Sequence, residues 1–118
     1  MIRKSTRQSR VANAAEKSFM SWIKGRGVCA ACGNDGGVYV HHCEGSAYKR
    51  KVDGVTELLG HWFVIGLCES CDSVVTDGNR KEFRYWFGLQ SNLWQSIADI
   101  YPGEIPDRVY RGIMESGR

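Results

Sequence analysis

A small single-domain α+β fold is predicted by three features of the amino-acid sequence. Two short cysteine pairs, Cys29-Ala-Ala-Cys32 and Cys68-Glu-Ser-Cys71, bracket its middle. Between them lie two short runs of strand character, and apolar residues recur at helical spacing before the first pair and after the second. A chain of 118 residues can bury one modest core, and a domain of this size gains substantially from a bound structural metal.

The spacing of the cysteines identifies that metal. Two residues between thiols form a knuckle that turns both sulfurs inward, so two such pairs can meet at the corners of a tetrahedron around zinc. Cys29, Cys32, Cys68 and Cys71 are therefore read as a structural Zn²⁺ site whose occupancy is coupled to folding. A disulfide framework is the competing reading. Five cysteines, an odd count, and no recognisable secretory leader weigh against it. No apolar run is long enough to cross a bilayer, so a cytoplasmic protein without a membrane partner is expected.

The elements follow in order. Residues 1–9 are polar and basic, and a flexible arm is expected there, with the domain spanning 10–118. From Val11 to Lys24 the apolar residues Val11, Ala15, Phe19, Trp22 and Ile23 form a helical stripe, with Ser9 as candidate N-cap and Gly25 and Gly27 as its end. Val38-Tyr39-Val40-His41 alternates as a strand, and Trp62-Phe63-Val64-Ile65 suits pairing with it. The segment between, Cys43 to Gly60, is expected to be a long insertion without structure of its own. A short helix over Cys68 to Val75 would carry the second cysteine pair, followed by helices over Arg80 to Phe87, Asn92 to Tyr101 and Asp107 to Met114, the last introduced by Pro106.

Charge is unevenly distributed. Up to Arg26 the chain carries Arg3, Lys4, Arg7, Arg10, Lys17, Lys24 and Arg26 against Glu16 alone, whereas the remainder is mildly acidic. Arg3, Lys4, Arg7 and Arg10 suit DNA, because cations that replace condensed counterions gain affinity regardless of base sequence. A solubilising tail is the plainer alternative. Lys49, Arg50 and Lys51, beside Tyr48 in the insertion, are further candidates for DNA contact. No phosphate-cradling glycine loop of the nucleotide-binding type occurs.

A cysteine knuckle, a hairpin and a helix bringing the second pair resemble, in that order, the treble-clef zinc core of the HNH, or ββα-metal, nucleases. In that family two adjacent residues at the end of the first strand divide the work, one binding the catalytic ion and its neighbour acting as general base. His41 and His42 stand at that place. Gly60-His61-Trp62-Phe63-Val64-Ile65-Gly66-Leu67-Cys68, followed by Arg80, Phe83, Tyr85, Gly88 and Gln90, resembles more narrowly the small phage-encoded, RecA-dependent nucleases typified by the recombination enhancer Ref. The resemblance runs from Cys29 to Leu93. It implies a DNA endonuclease of phage or prophage origin acting in recombination in a bacterial host's cytoplasm, with a recombinase filament as a partner.

The chain departs from the family where histidines usually complete the catalytic site, and Asp72 and Asp77 stand there instead. Carboxylates are hard donors suited to Mg²⁺ or Mn²⁺, so the resemblance implies an ion held by His41, Asp72 and Asp77, with His42 as base. The alternative is a decayed site on a zinc-stabilised adaptor that only binds nucleic acid. Among the other notable side chains, Cys43 is expected to be a small buried hydrophobe and His61 to bond a backbone carbonyl. Trp22, Trp62, Trp86 and Trp94 are expected in the core.

Overall fold

The computed structural model describes residues 11–118, so the candidate DNA contacts Arg3, Lys4, Arg7 and Arg10 lie outside the described residues. Helix α1 (Ala14–Arg26) begins later than its apolar stripe suggests, because a capping box sets its start. The Glu16 N–H donates to Asn13 Oδ1 at 2.9 Å, and the Asn13 N–H donates to Glu16 Oε1 at 2.8 Å. Gly27, at φ 65°, closes the helix in the left-handed conformation and donates to the Ile23 carbonyl.

Strand β1 (Tyr39–His42) leads not into an unstructured insertion but into a hairpin of its own, β2 (Lys49–Val52) and β3 (Val55–Leu58). Its turn is Asp53-Gly54, with φ of 53° and 81°. Two positive values in succession mark the turn that matches strand twist, and Asp-Gly is the dipeptide that favours it. The C-terminal helix holds the hairpin in place: Arg50 Nη1 donates to the Gly112 carbonyl, Arg108 Nη1 donates to the Val52 carbonyl, and Arg111 grips the Asp53 carboxylate with both nitrogens. Strand β4 (Val64–Leu67) returns antiparallel to β1, pairing His41 with Ile65 and His42 with Val64. Both strands of this pair sit one or two residues later than the alternation suggests.

Helix α2 (Glu69–Ser73) runs directly into a π turn, Val74–Gly78. Helix α3 (Arg80–Phe87) is capped by Asn79, whose Oδ1 accepts from the Glu82 N–H, and has the bounds its sequence predicts. Helices α4 (Gln90–Ala98) and α5 (Asp107–Met114) complete the chain, α4 starting two residues before the expected Asn92. Among the described residues the result is an α+β fold of five helices and two small antiparallel sheets. All four residues of β4 are buried, because α1 and α4 both pack against it.

The core gathers Phe19, Ile23, Trp62, Phe63, Leu67, Trp94 and Ile113. Trp94 Nε1 donates to the Trp62 carbonyl at 2.7 Å, which satisfies a polar atom that burial would otherwise leave costly. Trp86 departs from expectation: it is 65 % exposed on α3, stacked edge-on against Tyr85, while Phe83 takes the buried position. No helix among the described residues is long and apolar enough to cross a membrane.

Gly60 meets a tight constraint. A Cβ there would stand 2.1 Å from the Ser46 carbonyl oxygen, a backbone atom that cannot rotate aside. Gly60→Ala is expected to lower stability by about 1–3 kcal/mol, as overpacking does elsewhere. Urea unfolding checks this, and an unchanged midpoint would show that the Ser46 turn gives way freely.

Candidate metal centre and histidine site

The first cysteine pair lies in a turn held by backbone hydrogen bonds. The Cys29 N–H donates to the Asn34 carbonyl, the Gly33 N–H to the Cys29 carbonyl, and the Ala30 N–H to the Gly66 carbonyl, which clips the knuckle onto β4. The second pair sits at the start of α2, with Cys68 as N-cap and Cys71 buried in the first turn. The four sulfurs lie within 4.8 Å of one another. Cys32 Sγ and Cys68 Sγ are 3.7 Å apart. A tetrahedron with Zn–S bonds of about 2.3 Å has edges of about 3.8 Å, so the donor set fits a structural metal ion such as zinc.

All five cysteines are free thiols. Burial acts to raise the Cys29 thiol, but backbone N–H groups, that of Cys32 first, outweigh it and bring Cys29 down to about 7. Cys71 moves the other way, raised by burial and then by sharing its surroundings with the other three sulfurs. As thiolates, four sulfurs this close would be stabilised by a bound cation. Cys43 stands apart from the cluster, 2 % exposed, with its thiol pushed up by burial as a packed apolar group should be.

The histidines of β1 have separate partners, as the opposite facing of adjacent strand residues requires. His41 Nε2 lies 3.1 Å from Gln90 Oε1, and since that oxygen only accepts, Nε2 carries the proton. Nδ1 is then a bare acceptor, and it faces Asp72 Oδ1 at 3.6 Å. Two acceptors opposed in this way attract a proton or a metal cation. Burial lowers the His41 pKa below the ordinary 6.5, with Asp72 pulling in the opposite direction.

His42 Nε2 lies 3.3 Å from His61 Nδ1, the rings meeting edge to face. His61, expected to bond a carbonyl, thus stands against the candidate base. Burial, followed by the nearby His61 and His41, lowers the His42 pKa. The pairing is hidden in the sequence because Gly60-His61 precedes β4, and only the turn Leu59–Phe63 brings the ring back over the end of β1.

The predicted third ligand does not join the site. Asp77 is exposed on the π turn, and Thr76, four residues after Asp72, reaches the Asp72 carboxylate instead. Among the described residues, the four cysteines are the one group of three or more such donors close enough to hold an ion. Of the candidate DNA contacts in the insertion, Lys49 and Lys51 are exposed on β2, whereas Arg50 is half-buried and committed to Gly112. Three residues absent from the sequence-based site border it: Gln90, Glu44 and Arg80. Arg80 Nη1 donates to Glu44 Oε2 at 2.8 Å.

Comparison with protein-family models, with curated proteins and with solved structures finds no match for this chain.

Purified protein is expected to contain one zinc per chain by elemental analysis. Cys71→Ser removes a buried ligand and should abolish the cooperative unfolding transition along with the metal, since binding and folding are linked. Zinc-free protein with an unaltered transition would exclude a structural role for the ion.

Proposed function

We propose that this chain is a metal-dependent endonuclease of the HNH type, built on a treble-clef core and hydrolysing phosphodiester bonds in DNA recombination. The observation that carries the reading is the placement of His41 and His42 at the end of β1, one facing Asp72 and the other His61. The resemblance of the cysteine knuckles and the Gly60–Cys68 run to phage RecA-dependent nucleases points in the same direction, and a recombinase filament on DNA is the partner it suggests.

Hydrolysis of a phosphodiester needs a base for the attacking water and relief of negative charge on the phosphate. His42, whose pKa is lowered by burial, can accept the water's proton at Nδ1 when its Nε2–H donates to His61 Nδ1. His61 thereby orients the base. His41 Nδ1 and Asp72 Oδ1 are the two donors that would hold Mg²⁺ or Mn²⁺, leaving its other positions to water and phosphate oxygens. Such an ion would stabilise the leaving oxygen and the non-bridging oxygens. Gln90 fixes the His41 tautomer that leaves Nδ1 free to coordinate.

A second reading is a zinc-stabilised adaptor that binds nucleic acid without cutting it. That Asp77 joins no three-donor group among the described residues favours that reading, since two protein ligands hold a divalent ion weakly.

His42→Ala is expected to reduce Mg²⁺- or Mn²⁺-dependent cleavage by roughly 10²-fold or more while zinc content and DNA binding persist. Asp72→Ala should raise the metal concentration needed for activity, and Asp77→Ala should not. Substrates must include single-stranded DNA and a recombinase filament. Equal behaviour of wild type and His42→Ala on all of them would leave the adaptor as the function.

A further inference from the structure

Beside the histidines lies a cleft of about 110 Å³ walled by Glu44, Arg80, Phe83, Arg84, Gln90 and Arg118. Its volume accommodates several waters, and thus a group the size of a phosphate. The Glu44 side chain is only 9 % exposed and receives two guanidinium groups, Arg80 at 2.8 Å and Arg118 at 3.6 Å. One carboxylate balances one of them. The third arginine, Arg84, has no ion pair among the described residues, so the walls carry an excess of positive charge around a small concavity.

Glu44 holds Arg80 and Arg118 in place without exhausting them. Each guanidinium has five N–H donors in a planar fork. Arg80 uses some on Glu44 and on the Cys43 carbonyl, yet its side chain remains 56 % exposed, and that of Arg118 52 %. Forked donors of this kind match phosphate oxygens in pairs, which a lysine cannot do. The cleft is also joined to the histidine site: Gln90 lines it and bonds His41, and Glu44 follows His42 by two residues.

We propose that this cleft is a phosphate subsite, in which Arg84, Arg118 and Arg80 hold a phosphodiester of the nucleic-acid strand adjoining the one presented to His42. The assignment rests on the nuclease reading for its register but not for its chemistry. It moves the expected strand contact away from Arg50, which serves the hairpin, to α3 and the residues that follow α5.

The test is a salt titration of binding by the full zinc-loaded chain to a labelled single-stranded oligonucleotide. Arg84→Ala combined with Arg118→Ala should weaken binding at low salt at least about tenfold and flatten the slope of log affinity against log salt by about 0.7, the value for the one single-strand phosphate that is no longer neutralised. Zinc content and the unfolding midpoint report whether the double variant is intact. If it is not, Arg84→Gln, which removes a guanidinium without an ion pair, should still weaken binding at low salt and flatten the slope, by up to about 0.7. A slope and affinity equal to wild type, or a wild type with no affinity for the strand, overturns the proposal. Competition by inorganic phosphate as effective as by the oligonucleotide would also overturn it, by showing a site for the free ion. Cleavage separates the two ideas: a flattened slope in protein that never cuts keeps the cleft and removes the nuclease, while unaltered binding in protein that cuts does the reverse.

Discussion

The arrangement depends on the mutual repulsion of four cysteine sulfurs brought within 4.8 Å. A cation held by the four sulfurs would offset that repulsion and tie the two knuckles together, adding to the backbone bonds that already join these segments. The knuckle of Cys29 and Cys32 is bonded to β4 through Ala30, and the pair at Cys68 and Cys71 begins α2 immediately after that strand. With these segments locked, β1 and α2 keep a fixed separation. His41 on β1 meets Asp72 on α2 because Asp72 directly follows the last cysteine.

Around that junction the polar groups are paired in three neighbouring sets. His41 touches Gln90 and Asp72, Glu44 touches Arg80 and Arg118, and His42 touches His61. Pairing of this density in a partly buried region lowers flexibility, since each member left unpaired would cost roughly 1–3 kcal/mol. Burial, against the pull of Asp72 and Gln90 on His41, lowers the pKa of both imidazoles. Burial dominates for each, and for His42 the neighbouring histidines act in the same direction. Neutral imidazoles are the form in which nitrogen can bind a metal or accept a proton, so the surroundings suit the proposed chemistry.

Much of the fold is legible in the sequence because it depends on local chemistry. The CxxC spacing dictates a sulfur cluster, and Asn79 followed by Glu82 caps α3 at its predicted bounds. The start of α1 is equally local, in Asn13 and Glu16, but the apolar residue Val11 draws the expected start upstream. The Asp53-Gly54 turn is also present in plain form. Its flanking strands carry Lys49, Arg50 and Lys51, and such charges look like a solvated loop until α5 supplies partners for the Arg50 side chain and the Val52 face.

Candidate ligands and the histidine pair can be named from the chain because they are adjacent in it or follow a fixed spacing. Four sulfurs in two knuckles need no distant information to converge. Which residues border the histidines was decided only by tertiary structure, as the separations between partners show: His61 reaches His42 across the β2–β3 hairpin, and Gln90 reaches His41 from α4. The π turn made the opposite decision for Asp77, placing it on the exposed side while Thr76 took the position over Asp72. Local spacing determines what a short segment can present. Packing of segments far apart in the chain determines what it meets, because side-chain contacts across helices and strands depend on burial and register that no single stretch contains.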